Sequence, residues 1–279
     1  MSFGVSGSGR KRWLVFTDMD GTLLEHKTYR FDPAKPALRF LNERDIPLVI
    51  CTSKTRAEIE KFRSELDVYH PFIPENGGAI FVPRGYFSFS FRHNREDESY
   101  LIIEFGTPYS ALRAALSRLK RLYPGKINGF GDLSLAEVAR VCGFSRAEAR
   151  LAKRRGYDEP FILKDTALAP RVEKQARSLG LDVTRGTRFY HLLGDNDKGK
   201  AVSRLTAIYR QSGDDFITVG LGDSLNDLPM LRAVDRPALV QKPDGSYDPE
   251  VKLPGLFFAP SPGPEGFRIS ILRLVADQA

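Results

Sequence analysis

Short apolar runs separated by helix-forming stretches constrain this chain more than any other feature. Trp13-Leu14-Val15-Phe16 reads as a strand buried on both faces, and it stops abruptly at Thr17-Asp18-Met19-Asp20-Gly21-Thr22. Pro36 to Arg44 carries Ala37, Leu38, Phe40 and Leu41 at helical spacing. A second apolar run, Pro47 to Cys51, follows and closes at Thr52-Ser53. Strand, helix, strand predicts a right-handed parallel crossover, with carboxylates where the first strand ends. A charged helix is expected over Arg56 to Leu66, then Phe72-Ile73, a Pro-Glu-Asn-Gly-Gly turn at 74–78 and a short strand at Ala79 to Val82.

Far downstream the alternation resumes with a helix from Lys198 to Gln211, a buried strand at Phe216 to Gly220 and a polar loop at Gly222 to Asp227. Between the two halves lie alternating segments at Tyr86 to Phe91 and Tyr100 to Phe105 and a helix at Tyr109 to Leu122. A second helical stretch is expected from Ser134 to Arg155, then strands near Phe161 to Lys164, Asp182 to Thr184 and Arg188 to Leu193. The expected architecture is an α/β, Rossmann-like parallel-sheet core, 12–84 and 194–279, interrupted by an α+β cap domain over 85–193. Residues 1–11 read as a flexible tail.

The 279 residues suffice for such a core of about 150 residues plus an insertion. At 42% hydrophobic and 28% charged the composition is that of a soluble globular protein. The excess of 42 Lys and Arg over 35 Asp and Glu suits an anionic partner, but the basic residues are dispersed. The short clusters Arg10-Lys11-Arg12 and Lys153-Arg154-Arg155 read as solvated surface, and no basic stripe interleaved with aromatics points to nucleic acid. Cys51 and Cys142 lack metal or redox spacing and read as reduced thiols of a cytoplasmic protein. No run is long and apolar enough to span a bilayer.

Asp18 and Asp20 carry the sharpest chemistry. Two residues apart after a buried strand, one carboxylate can attack phosphorus while the other protonates the leaving oxygen and later activates water. Their mutual repulsion calls for a hard divalent cation such as Mg²⁺. The bland reading is a turn, since Asp-Gly is a common turn pair. A calcium loop would have its glycine at the sixth position, whereas Gly21 is the fourth from Asp18. Asp223 and Asp227, four apart with Ser224 and Asn226 between, offer an oxygen-rich shell, or else ordinary helix-cap residues. Thr52 ends the second strand and is a phosphoryl-oxygen ligand or a helix cap; Lys198 opens a helix and is a charge-neutralising lysine or a solvated one.

All four elements fall at strand ends, where open α/β sheets bind ligands. In this order they resemble the four motifs of the haloacid dehalogenase superfamily of phosphatases. The resemblance implies Asp18 as nucleophile, Asp20 as acid and base, Thr52 as phosphoryl binder and Lys198 as charge balance. Mg²⁺ would be held by Asp18, the Asp20 backbone carbonyl and Asp223, with Asp227 as an outer ligand. An α/β insertion between the second and third motifs is similar to the sugar-phosphate branch.

Further segments resemble the mannosyl-3-phosphoglycerate phosphatase family: Thr52-Ser53-Lys54-Thr55-Arg56, Glu75-Asn76-Gly77-Gly78, Tyr157-Asp158-Glu159, Arg185 to His191 and Pro262 to Phe267. That implies a small phosphorylated sugar-glycerate substrate, with Ser53, Lys54, Asn76 and Gly77 at the core edge and Arg188 and His191 in the cap as its binders. A regular strand would put Arg188 and His191 on opposite faces, making one of them structural. The alternatives are a glucosyl-3-phosphoglycerate or broader sugar-phosphate phosphatase, a phosphomutase, and a nucleic-acid-binding module. Monomer and dimer are both compatible with the sequence, and no membrane partner is expected.

Overall fold

The computed structural model describes residues 11–276. Of the tail expected over 1–11, residues 1–10 lie outside the described residues, and Lys11 belongs instead to the first strand. Among the described residues the chain runs β1 (Lys11–Thr17), α1 (Lys35–Glu43), β2 (Leu48–Cys51), α2 (Arg56–Leu66), β3 (Phe72–Ile73), β4 (Ala79–Pro83), β5 (Arg95–Glu96) and β6 (Tyr100–Glu104). It continues through α3 (Tyr109–Leu122), β7 (Ile127–Gly129), α4 (Leu135–Cys142), α5 (Arg146–Ala152), β8 (Glu159–Leu163), α6 (Ala169–Ser178), β9 (Asp182–Arg185) and β10 (Tyr190–Leu193). The last part holds α7 (Lys198–Arg210), β11 (Asp215–Gly222), α8 (Leu228–Arg232), β12 (Arg236–Gln241), β13 (Phe257–Pro262) and α9 (Gly263–Leu274).

The core sheet is ordered β13-β12-β11-β1-β2-β3-β4-β6-β5. Its pairs are parallel from β13 to β3 and antiparallel from β3 onward. Strand β1 lies between β2 and β11, so the chain leaves β1 to one side and returns on the other. That reversal opens a crevice at the carboxyl ends of β1, β2 and β11, where the motif residues stand.

Period-two alternation in β1 feeds both faces of the sheet. Val15 points to one layer with Leu41, Ile59 and Phe267, whereas Leu14 and Phe16 point to the other with Leu205, Ile208 and Met230. All are buried, which is why the strands read as continuous apolar runs.

The inserted cap is a four-stranded antiparallel sheet, β7-β8-β10-β9. Leu112 and Leu116 of α3 and Val172 and Ala176 of α6 pack with Phe161 and Leu192 of that sheet. His191 stands opposite Pro160 in the β10–β8 register, and both line a cavity facing the core.

Four local expectations need correction. Strands β5 and β6 extend the core sheet through β4, so residues 95–104 belong to that sheet and not to a cap starting at 85. The stretch Tyr86 to Phe91 forms no strand. Tyr86 and Phe87 both pack on Tyr209, which alternate faces of a strand would forbid. The single helical stretch Ser134 to Arg155 is two helices, because Ser134 with Glu137 and Ser145 with Glu148 each form a capping box. The short β7 had no apolar alternation long enough to be read.

A half-buried histidine should make the core pH-sensitive. His70 Nδ1 lies 2.7 Å from Tyr86 Oη, which lies 2.8 Å from Tyr209 Oη. Burial and then the nearby Arg63 push the His70 pKa down to about 4. Between its ordinary value and about 4 the unfolded chain holds a proton that the folded chain does not, so stability falls as the pH drops through that window. The loss is on the order of 3 kcal/mol. In urea unfolding at pH 7 and pH 4, His70→Gln should show that much less acid destabilisation than wild type; parallel slopes would refute the assignment.

Candidate active site

The site grows from the end of β1. The Asp18 backbone N–H donates to Leu221 O of β11 at 2.9 Å, fixing the carboxylate over the crevice. The chain then turns tightly: Gly21 N–H donates to Leu24 O at 2.9 Å and Gly21 has φ +84°. A Cβ there would stand 2.6 Å from Asp223 Oδ2, so only glycine fits both the backbone and the approach of the second acidic loop.

Lys198 Nζ donates to Asp18 Oδ1 at 2.7 Å and to Asp227 Oδ1 at 2.6 Å, and all three residues are buried. Asp197, not Lys198, caps α7, which frees the lysine to reach inward. Burial alone would discharge that ammonium, but Asp18 and Asp227 outweigh it and drive the Lys198 pKa up. Asp18 is pushed up to about 7, chiefly by burial and also by Asp227, with Lys198 pulling the other way. Burial, then Asp227 and Asp18, raises Asp223 well above the carboxylate range.

Asp18, Asp223 and Asp227 offer ligand oxygens that all lie within 4.8 Å of one another. Asp223 Oδ1 is buried without a hydrogen-bond partner, while Asp227 Oδ2 accepts from the N–H groups of Asp223 and Ser224 at 3.0 and 3.1 Å. An orphaned buried carboxylate oxygen in an all-oxygen donor set fits a hard divalent cation, whose charge would relieve the burial of these acids. The Asp20 carboxylate is outside this cluster. Its Oδ2 pairs with Lys54 Nζ at 2.9 Å, and its Oδ1 is buried and unpartnered beside the cavity.

Thr52 is fully buried, and the cap of α2 is Thr55, whose hydroxyl accepts from Glu58 N–H. The helix-cap alternative for Thr52 is therefore excluded. Ser53 and Lys54 line the cavity with Asp18 and Asp20. The Lys54 ammonium also sits 3.7 Å from Glu58 and over the rings of Tyr29 and Phe144, at 4.7 and 5.3 Å. Asn76 and Gly77 are not on the cavity wall. Asn76 donates to Asp158 Oδ2 at 2.8 Å and accepts from Asn226 at 3.0 Å. Gly77 has φ +85°, and a Cβ there would lie 2.1 Å from Asp197 O, so it lets the turn pack against the start of α7.

Arg188 and His191 share the cavity despite the alternation argument, because β10 begins only at Tyr190 and Arg188 lies in the preceding turn. Arg188 ties cap to core. Its Nη1 donates to Tyr29 Oη at 2.8 Å and to Cys142 O at 2.9 Å, and its Nη2 to His26 O. Thr187 Oγ1 reaches Asp223 Oδ2 at 3.3 Å, so this turn touches the acidic loop itself.

Sequence reasoning missed His26, Tyr29, Phe144 and Arg155 on the cavity wall. Arg155 sat in a basic cluster read as surface. Instead its side chain is 4% exposed, 3.0 Å from Asp158 Oδ2, and donates to Ser53 O. The nearby Asp158 in Tyr157-Asp158-Glu159 was the available signal that an arginine here had a buried partner.

A switch-point crevice with a lysine-bridged carboxylate, a second acid two residues on and an acidic loop under an α/β cap defines a hydrolase of the haloacid dehalogenase type. Residues 15–123 match the family model for haloacid dehalogenase-like hydrolases. A glucosyl-3-phosphoglycerate/mannosyl-3-phosphoglycerate phosphatase of Methanococcoides burtonii is 49% identical over 94% of this chain and 97% of its own. A mannosyl-3-phosphoglycerate phosphatase of Pyrococcus horikoshii is 37% identical over 81% of this chain and 90% of its own. The fold is shared with a sucrose-phosphatase structure from Synechocystis, with a TM-score of 0.62, 13% identity and coverage of 96% and 98% of the two chains.

The chain belongs to the haloacid dehalogenase-like hydrolase family. Within it, the chain is a phosphoric monoester hydrolase. No helix among the described residues is long and apolar enough to cross a membrane.

Proposed function

We propose that this chain hydrolyses glycosyl-3-phosphoglycerates, the mannosyl ester and its glucosyl relative, to the glycosyl glycerate and inorganic phosphate, using Mg²⁺ in the cytoplasm. One observation carries the mechanism: Asp18 Oδ1 is held 2.7 Å from the Lys198 ammonium, beside an Asp20 carboxyl with one oxygen unpartnered. Both named esters stand in the reading because relatives at high coverage carry both names.

Asp18 attacks phosphorus in line, forming an aspartyl-phosphate as the bond to the glycerate oxygen breaks. Asp20 gives its proton to that oxygen, then takes one from the water that attacks the aspartyl-phosphate and releases phosphate. Lys198 and the Thr52 hydroxyl hold the phosphoryl oxygens and offset their charge without reorganising. A cation held by Asp18 and Asp223, with Asp227 behind them, would neutralise phosphoryl charge. The cap, docked through Arg188 and Arg155, excludes bulk water, and its His191 faces the organic part of the ester.

Phosphate release from mannosyl-3-phosphoglycerate, glucosyl-3-phosphoglycerate, hexose phosphates and 3-phosphoglycerate tests the reading. The expected result is a preference of about 100-fold or more in kcat/KM for the glycosylated phosphoglycerates, about 3 kcal/mol of discrimination, abolished by chelator and restored by Mg²⁺. Equal rates on all esters would remove the substrate assignment, and chelator-insensitive turnover would remove the cation.

A further inference from the structure

The side chain of Asn76 sits in the middle of a buried polar chain running from the cap to the nucleophile. On the cap side Asp158 accepts from Asn76 Nδ2 at 2.8 Å and pairs with His191 Nδ1 at 2.9 Å. On the core side Asn76 Oδ1 accepts from Asn226 Nδ2 at 3.0 Å, and Asn226 Oδ1 accepts from Ser224 Oγ at 2.7 Å. Ser224 N–H donates to Asp227 Oδ2 at 3.1 Å, and Asp227 Oδ1 takes the Lys198 ammonium that also holds Asp18. No member from His191 to Asp18 is more than 7% exposed.

Three features make this chain more than packing. Burial raises the Asp158 pKa, but His191 and Arg155 outweigh it and keep it ionised. The carboxylate therefore accepts, His191 Nδ1 carries the proton, and Nε2 is the polar atom left for the cavity. Asn76 also has φ +53° and follows Glu75 at φ +49°, two non-glycine residues in the left-handed region. Each costs about 1 kcal/mol or more, which the surrounding bonds must offset. Finally, hydrogen bonds in series in a low-dielectric interior polarise one another, so displacing one end is felt at the other.

We propose that Asn76 is a positioning residue that couples the cap's substrate-facing His191 to the loop 224–227 and through it to Lys198 and Asp18. Contact of the ester's organic part with His191 then sets the geometry at the phosphoryl group. This rests on the reading that the cavity under the cap holds that organic part.

A double-mutant cycle tests it on whichever ester of the panel wild type prefers, so that a wrong substrate assignment and a wrong coupling fail separately. Asn76→Gly removes both links while keeping a backbone at ease with positive φ. Asn76→Asp keeps an acceptor for Asn226 but sets a second carboxylate against Asp158, which covers the case in which the glycine variant does not fold. His191→Ala removes the cap end. Each single variant is expected to lower kcat/KM about 10- to 100-fold, mainly in kcat for the Asn76 variants, with the melting temperature of Asn76→Gly and His191→Ala within a few degrees of wild type and that of Asn76→Asp lower, because its new carboxylate faces the buried Asp158. Each double variant should lose at least about 10-fold less than the product of the single losses. Losses that multiply, or Asn76 variants whose whole effect lies in KM or in melting temperature, would overturn the coupling.

Discussion

Asp18→Asn should abolish phosphate release, lowering kcat by on the order of 10⁴-fold or more, while leaving the fold intact. The amide has the carboxylate's shape and keeps an oxygen for the Lys198 ammonium, but it cannot form the acyl-phosphate. Removing this charge should not lower stability. Burial already pushes the Asp18 carboxyl up to about 7, and Lys198 retains its 2.6 Å contact with Asp227. Phosphate release and thermal unfolding, measured on the same preparation, separate the two effects. Turnover within 10-fold of wild type would sink the nucleophile assignment; lost turnover with a collapsed melting temperature would make Asp18 structural.

Lys198→Met has the opposite balance, damaging fold and chemistry together. The lysine is 1% exposed and holds Asp18 and Asp227, so its loss leaves two buried carboxylates facing each other without a counter-charge. Breaking a buried pair from one side costs about 3–5 kcal/mol, or about 10 °C in melting temperature for a chain of this size. Turnover should fall by about 10³-fold, because the phosphoryl group loses its fixed cation. The stability deficit should shrink as the pH is lowered, since protonation relieves the repulsion, and also when Mg²⁺ is added. A deficit unchanged by either would mean that Lys198 acts through packing and not through charge.

Much of the site was legible because its groups are local. Asp18 and Asp20 are two residues apart at the end of an apolar strand, and Asp223 and Asp227 lie within one loop, so spacing marks them as candidates and the resemblance to a known set of motifs gives them roles. The core crossovers were legible for a similar reason: strands buried on both faces leave continuous apolar runs. The cavity between cap and core was harder to read. The residues of its wall, from Tyr29 to Phe144 and Arg188, come from segments joined only by packing, and none carries a spacing that marks it. Arg155 illustrates the difficulty, for a basic run looks the same in sequence whether it faces water or a buried carboxylate.

The sequence by itself determined the alternation of strands and helices, the two acidic loops at strand ends and the presence of a long insertion. Those follow from periodicity and from short-range chemistry. Only the tertiary structure decided that β5 and β6 complete the core sheet, that Lys198 reaches across 180 residues to Asp18, and that Asn76 bridges Asp158 to Asn226 instead of facing the cavity. Each depends on which distant partner fills the space beside a residue. A buried polar group takes its role from the partner that satisfies it, and that partner is chosen by the packing of the whole chain.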